Sequence, residues 1–446
     1  MSTRKKTLTI VVALILIGTM LFAAGAKDTA PKKGLQGKVT FMLDSGQVNL
    51  KKTFLEPFNK KYPDIEVEFI EVSPLERLEK LVVMLGSGTG PDLIETETSY
   101  YTTLAPNGYL YDIDPLVAAD DSIDYSAFDP NGIATFRRYD GKTRGLPITA
   151  YNKVLLFNKK AFDRYGVEYP YYGMTMEELL EKARQLKVKM IETGDFQKDM
   201  RPFCQWEVLV EPLTAAMGVG FYDVNTLKHN FDDPKIRKAF NFWATLWNED
   251  LMIIKEQAKA KGYGDSYKLF VQGQYPMIIE HSWMLGMTQD PDISNLPYEY
   301  VYDVIPIPWF EGERQVQPPI DYHGVAMTSQ VKNVDAAWAV MKFAAEEWYS
   351  NEAILANVIG PVSYLDSEVN KMVLDEKLYP GFAHVLEQEA AIEPPQIMEL
   401  YLDIVWQAIR DVMVEGTIEK ISFDETIRRA SESVQAILDR YARERK

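Results

Sequence analysis

Acids and aromatic side chains collect in this 446-residue chain at the points where apolar runs break off. Asp44 and Ser45 follow the alternating Val39, Phe41 and Leu43, and Glu95 and Glu97 follow Leu93-Ile94. Trp283 stands just past the apolar Met277-Ile278-Ile279, and Trp206 lies between Gln205 and Glu207 after Pro202–Cys204. Such groups suit a polyhydroxylated ligand, since rings stack on the C–H face of a pyranose while carboxylates and amides accept its hydroxyl protons. Each residue also has a plainer role. An isolated acid is commonly solvated or caps a helix, and a tryptophan commonly packs. Trp206 fits both readings equally, whereas Trp406, in a helical run, fits packing better. His323 either donates to a ligand or caps its strand.

Catalytic chemistry finds little support. Gly86-Ser-Gly-Thr-Gly-Pro91 lacks the last glycine of a dinucleotide fingerprint and follows a helical pattern rather than a strand. Gly141-Lys142-Thr143 ends like a phosphate loop, but Phe136 occupies the place of its first glycine. No glycine-flanked serine elbow is present. Two carboxylates suffice for glycoside hydrolysis, so Glu95 with Glu207 leaves that reaction open. Tyr100-Tyr101 has the oxygens a ferric-ion binder uses, yet fits a helix beside a cleft. His229, His281 and His384 have no metal-ligand spacing, so neither a metal nor a cofactor is expected.

These groups need elements to position them. Ile65, Val67 and Phe69 alternate like Val39–Leu43, and Pro91-Asp92-Leu93-Ile94 opens a third strand. Between them lie two helical patterns. The first carries Leu50, Phe54, Leu55 and Phe58, with Pro57 forcing a kink or a later start. The second carries Leu75, Leu78, Val82 and Leu85, with Gly86 as its stop. A β-α-β-α-β order implies a parallel sheet, whose ligands bind beyond the carboxyl ends of the strands, where Asp44, Glu71, Glu95 and Glu97 fall. Farther on, Thr175 with Glu178 makes a capping box, and Asp233-Pro234 starts a helix with Phe240, Trp243 and Trp247 inward. Val301 to Pro308 reads as a strand, Trp309 to Pro319 as a polar return loop, and Asp335 to Trp348 as an amphipathic helix. From Gln396 the chain reads as helical throughout, with an exposed terminal helix over 424–443.

Arg4, Lys5 and Lys6, an apolar run from Leu8 to Phe22 and then Ala24-Gly25-Ala26 make a cleavable secretory signal, too short to span a bilayer as an anchor. No cysteine near that site offers lipid attachment, so a periplasmic location is expected. The leader is basic and acid-free, so of the net −17 the remainder holds −20. That charge opposes nucleic-acid binding. Cys204 is the only cysteine, which excludes an internal disulfide. About 420 residues after cleavage exceed what one core supports, so two lobes are expected.

An ordered set of motifs covers nearly the whole mature chain. Gly145-Leu146-Pro147 with Phe157-Asn158-Lys159, Phe162 and Gly166 is joined by Gly90-Pro91-Asp92 and by Phe270-Val-Gln-Gly273 with Met277 and Trp283. Ile305-Pro306-Ile307-Pro308, Tyr322-His323-Gly324 through Ala337-Trp338, and Trp406-Gln-Ala-Ile409 with Gly416 follow in turn. The set resembles the extracellular solute-binding proteins of the maltose-binding type, which serve ABC importers. Bulky Asp321-Tyr322-His323 departs from that family's glycine-rich approach and bears on ligand class rather than fold.

The resemblance implies an α/β, two-lobed periplasmic binding protein fold of type II, with the ligand cleft between lobes joined by crossing hinge strands. Residues 1–26 would be the leader, 27–37 a lead-in, 38–148 with 318–350 the N-terminal lobe, and 149–317 with 351–446 the C-terminal lobe. It implies a non-enzymatic monomer that hands a sugar to a membrane permease. Trp283 would be the stacking tryptophan, and Tyr151 and Trp406 further ligand contacts. With the residues read from strand ends, the expected ligand set is Asp44, Ser45, Glu95, Glu97, Tyr151, Trp206, Glu207, Trp283, Tyr322, His323 and Trp406. An anionic ligand such as a glycerol phosphate or uronate would need cleft arginines, and Arg137, Arg138, Arg144, Arg201 and Arg314 are scattered.

Overall fold

The structure, a computed structural model, describes residues 35–44, 51–73, 76–205, 210–289, 301–313, 320–348, 380–385 and 403–444. The leader, Ser45, Trp206, Glu207 and Arg314 lie outside the described residues. Strands β1 (Gly37–Asp44), β2 (Ile65–Val72), β3 (Leu93–Glu97) and β4 (Leu146–Tyr151) come first. Next are β5 (Lys153–Asn158), β6 (Phe203–Gln205), β7 (Tyr222–Asp223), β8 (Lys228–His229) and β9 (Met252–Ile254). Then follow β10 (Met277–His281), β11 (Tyr302–Pro306) and β12 (Asp321–Met327). They form two five-stranded sheets, β2-β1-β3-β12-β4 and β11-β5-β10-β6-β9, with β7 and β8 as a separate pair.

The expected parallel start holds: β1 runs parallel to both β2 and β3. β12 is antiparallel to β3 and β4, so β3 and β4 point the same way. The ends of β1, β3 and β4 and the start of β12 therefore share one edge of the first sheet. Only Asn152 separates β4 from β5, so the chain steps from one sheet to the other at that edge. It returns between Pro306 and Asp321.

Local chemistry explains the helices. Pro57 sits in the first turn of the helix Glu56–Lys61, preceded by a wider turn over Lys51–Leu55, which is the later start that proline demands. Thr175 and Glu178 make the capping box of Met176–Thr193, and Asp233 caps Pro234–Asn248 with Phe240, Trp243 and Trp247 buried. Two details differ from the sequence reading. The helix Arg77–Gly86 runs through Gly86, and the left-handed residue that turns the chain is Gly88 at φ 77°. The C-terminal helices Asp403–Glu419 and Phe423–Glu444 break at Lys420, and the last one is not simply exposed. Its Ile427, Ala430, Val434 and Leu438 form an i, i+3/i+4 stripe in the second core.

One core gathers Val39, Phe41, Phe54, Phe58 and the helix Val334–Phe343 against the first sheet. The other gathers Leu179, Phe203, Trp243 and Trp247 against the second. Gly324, next to His323 on β12, is required by close packing. A Cβ there would lie 2.5 Å from the Phe136 ring and 2.8 Å from the Leu146 carbonyl oxygen.

Candidate functional site

The shared edge brings together side chains that are far apart in sequence. Asp44 ends β1, Glu95 and Glu97 end β3, and Tyr151 ends β4. Arg77, from the first turn of its helix, is 1% exposed and places Nη1 2.9 Å from Asp44 Oδ1 and 3.3 Å from Glu95 Oε2. Its guanidinium carbon lies 4.8 Å from the centre of the Tyr100 ring. The Asp44 amide donates to Glu95 Oε2 at 3.2 Å. One cation thus serves two acids, and their protons separate. Burial first, and Glu95 next, push Asp44 up to about 7. Burial opposes the charge on Glu95, but His323 and Arg77 outweigh it and bring the pKa down to about 2.

β12 supplies the next pair. Strand alternation turns Asp321 and His323 to one face and Tyr322 to the other. Tyr322 is accordingly 3% exposed, its hydroxyl donates to Asp129 Oδ2 at 2.5 Å, and its ring packs near Gly132 and Pro147. Tyr322 leaves the expected ligand set, and Asp321 joins the site. The pairing of β12 with β4 slips by one residue at His323/Gly324, opposite Ile148, and such bulges re-aim neighbouring side chains. His323 Nε2 stands 3.4 Å from Glu97 Oε2 and 3.8 Å from Asp321 Oδ2, while Nδ1 is 3.9 Å from Glu95 Oε1. Burial works against a charged imidazole here, but Asp321 and Glu95 outweigh it and hold the His323 pKa well above its ordinary value. The Tyr151 ring meets His323 edge-on, with centroids 4.9 Å apart.

The second sheet closes the other side. Lys153 and His281 pair across β5 and β10. His281 Nδ1 is 2.5 Å from Glu280 Oε1, and its Nε2 faces Asp321 Oδ2 at 4.0 Å. Asn152 and Ser282 lock this corner: the Ser282 amide donates to the Asn152 carbonyl at 2.8 Å, and the Asn152 amide donates to Ser282 Oγ at 3.1 Å. Asn152 Oδ1 is buried with no hydrogen-bond partner. Trp283, next along, is half-buried and meets the Tyr267 ring at 5.6 Å.

Of the expected residues, Asp44, Glu95, Glu97, Tyr151 and His323 converge, with Trp283 beside the same corner. Glu95 is 4% exposed and already engaged, so it props His323 rather than presenting itself. Trp406 packs half-buried against the second core. Arg77, Asp321, Lys153 and His281 were missed. Asp321 had a signal, two positions before His323 on a strand; the others depend on strand order.

Comparison with known proteins agrees with this architecture. Residues 44–347 match the family model described as bacterial extracellular solute-binding protein. The chain is similar to a maltotriose-binding protein of Pyrococcus abyssi, 22% identical over 422 residues, 92% of this chain and 82% of that one. Among solved structures it is similar to the ABC substrate-binding protein Lmo0181 of Listeria monocytogenes in complex with cycloalternan. The TM-score is 0.77 at 17% identity, covering 91% of this chain and all of that one. It is also similar to UgpB of Mycobacterium tuberculosis in complex with glycerophosphocholine, TM-score 0.73 at 16% identity, covering 92% and 100%. The fold is the two-lobed α/β fold of these binding proteins, and the chain belongs to the bacterial extracellular solute-binding protein family.

Proposed function

We propose that this chain is the substrate-binding component of an ABC importer, taking a sugar or oligosaccharide between its lobes and presenting it to a membrane permease. The observation that carries this reading is the convergence of Asp44, Glu97, Tyr151, Asp321 and His323 at the edge where the two sheets meet, with Trp283 alongside. A solute touching both lobes binds the closed form better and shifts the population towards it. The relatives' bound glycans are consistent with such a ligand.

Charge argues against an anion. Four carboxylates line the first-lobe edge, and its arginine, Arg77, is buried and shared by two of them. Arg144 is paired with Asp140, and Arg201 with Asp250. Against a glycosidase stands the engagement of Glu95, which is buried and held by Arg77 and the Asp44 amide beside His323. The basic leader and Ala24-Gly25-Ala26 support export to a periplasm without lipid attachment, and we read the protein as a monomer. Among the described residues no helix is long and apolar enough to cross a membrane.

A thermal-shift screen with neutral and acidic mono- and oligosaccharides, analysed for product in the same tubes, tests this. Stabilisation by a neutral sugar that is recovered intact is expected. Stabilisation only by phosphate- or uronate-bearing solutes, or cleavage of the sugar, would overturn the reading.

A further inference from the structure

We propose that Glu97, Asp321 and His323 form a site for a divalent transition-metal ion, zinc in the first instance, with His281, 4.0 Å from Asp321 across the lobe seam, drawn in as a fourth ligand. The three ligand atoms of the first set lie within 4.8 Å of one another. Tetrahedral coordination with bonds of about 2.1 Å sets ligand atoms about 3.4 Å apart. His323 Nε2 is 3.4 Å from Glu97 Oε2 and 3.8 Å from Asp321 Oδ2, so an ion fits among them with small adjustments.

The groups behind these ligands are arranged as metal sites require. A ligating histidine turns its other ring nitrogen to a carboxylate or carbonyl, which fixes its orientation and raises its basicity. His281 does so at 2.5 Å, and His323 faces a carboxylate at 3.9 Å. Behind His323, Nδ1 faces Glu95, itself anchored by Arg77 and the Asp44 amide. Behind His281, Nδ1 meets Glu280 Oε1, leaving Nε2 turned to the same Asp321 oxygen that faces His323.

The carboxylate behind His281 is itself buried. Glu280 is 1% exposed, and its Oε2 has no hydrogen-bond partner. A buried carboxylate oxygen without compensation is costly, and a cation on the far side of His281 would offset it. Because His281 ends β10 of the second sheet and the other ligands belong to the first, a bound ion would tie the lobes together. The ion would share Glu97, Asp321 and His323 with the proposed solute site, so it is titrated without any solute and its binding is read separately from that reading.

The test is calorimetric titration of the EDTA-stripped, full-length mature protein with zinc chloride, and separately with manganese and calcium chlorides. One saturable site for zinc or manganese is expected, at least tenfold weaker in His323→Gln and in Glu97→Gln, and weakened in His281→Gln. Both first-set variants are used so that a folding defect in one, seen as a lower metal-free melting temperature, does not decide the result. No saturable heat, binding of calcium alone, or zinc binding unchanged in both variants would overturn the site. Unchanged affinity in His281→Gln would overturn the lobe-bridging arrangement.

Discussion

Arg77 and Asp44, 33 positions apart, meet at 2.9 Å and join the first turn of a helix to the end of the neighbouring strand. The contact is buried on the arginine side, and Glu95 shares the same guanidinium. Removing one partner of a buried pair leaves an uncompensated charge, which costs about 3–5 kcal/mol. Arg77→Met should therefore lower stability in denaturant titrations by that amount. Adding Glu95→Gln should restore part of the loss. If the double variant is no more stable than the single one, the two acids are not what Arg77 holds.

Asp44 gives a pH dependence of defined sign. Its folded pKa, about 7, lies above the ordinary 3.8, so between those values the folded state holds protons that the unfolded chain has released. Stability contributed this way is lost as pH rises towards 7. Asp44→Asn removes the effect, so the variant should gain on the wild type from about pH 4 to pH 7 and level off above that. Glu95 acts oppositely: its pKa of about 2 contributes stability above its ordinary value that fades as pH falls. Melting temperatures at matched ionic strength check both, and parallel curves for wild type and Asp44→Asn would refute the assignment.

How legible was this in the sequence? Period-two runs disclosed β1 and β2, and Pro91-Asp92-Leu93-Ile94 opened β3, and with them came Asp44, Glu95 and Glu97, because a strand's end is a local property. Thr175 and Asp233 announced their helices through side chains that satisfy nearby amides. Arg77 was not readable as a site residue, since its placement depends on how a helix packs on strands before and after it. His281 and Asp321 approach only because the end of β10 and the start of β12 meet at one seam. Tyr322 illustrates the hazard of reading a motif whole: one step along a strand reverses the face.

Gly324 tests the geometry around His323 without touching a charge. Added methyl carbon at Gly324→Ala would meet the Phe136 ring at 2.5 Å and a backbone oxygen at 2.8 Å. The ring can move, but the backbone cannot without shifting β4. A loss of about 1–3 kcal/mol is expected, as for other overpacked sites. Phe136→Leu in the same chain should recover only the ring's share, and full recovery would show that the Leu146 carbonyl imposes no limit.

Trp283 and Trp406 separate ligand contact from packing. Both are half-buried and packed against a core, Trp406 from a helix against the second and Trp283 from the turn after β10 against the first, beside the seam. A ligand at a hundred times its dissociation constant stabilises the native state by about 2.7 kcal/mol. Trp283→Ala should lose most of that increment, while its unliganded melting temperature falls by the loss of the Tyr267 contact, worth about 1 kcal/mol, and of its half-buried packing on the first core. Trp406→Ala should melt earlier without ligand and keep most of the increment. Opposite results for the two would move the stacking surface from the turn to the helix. Equal losses of increment in both would place the sugar across the two.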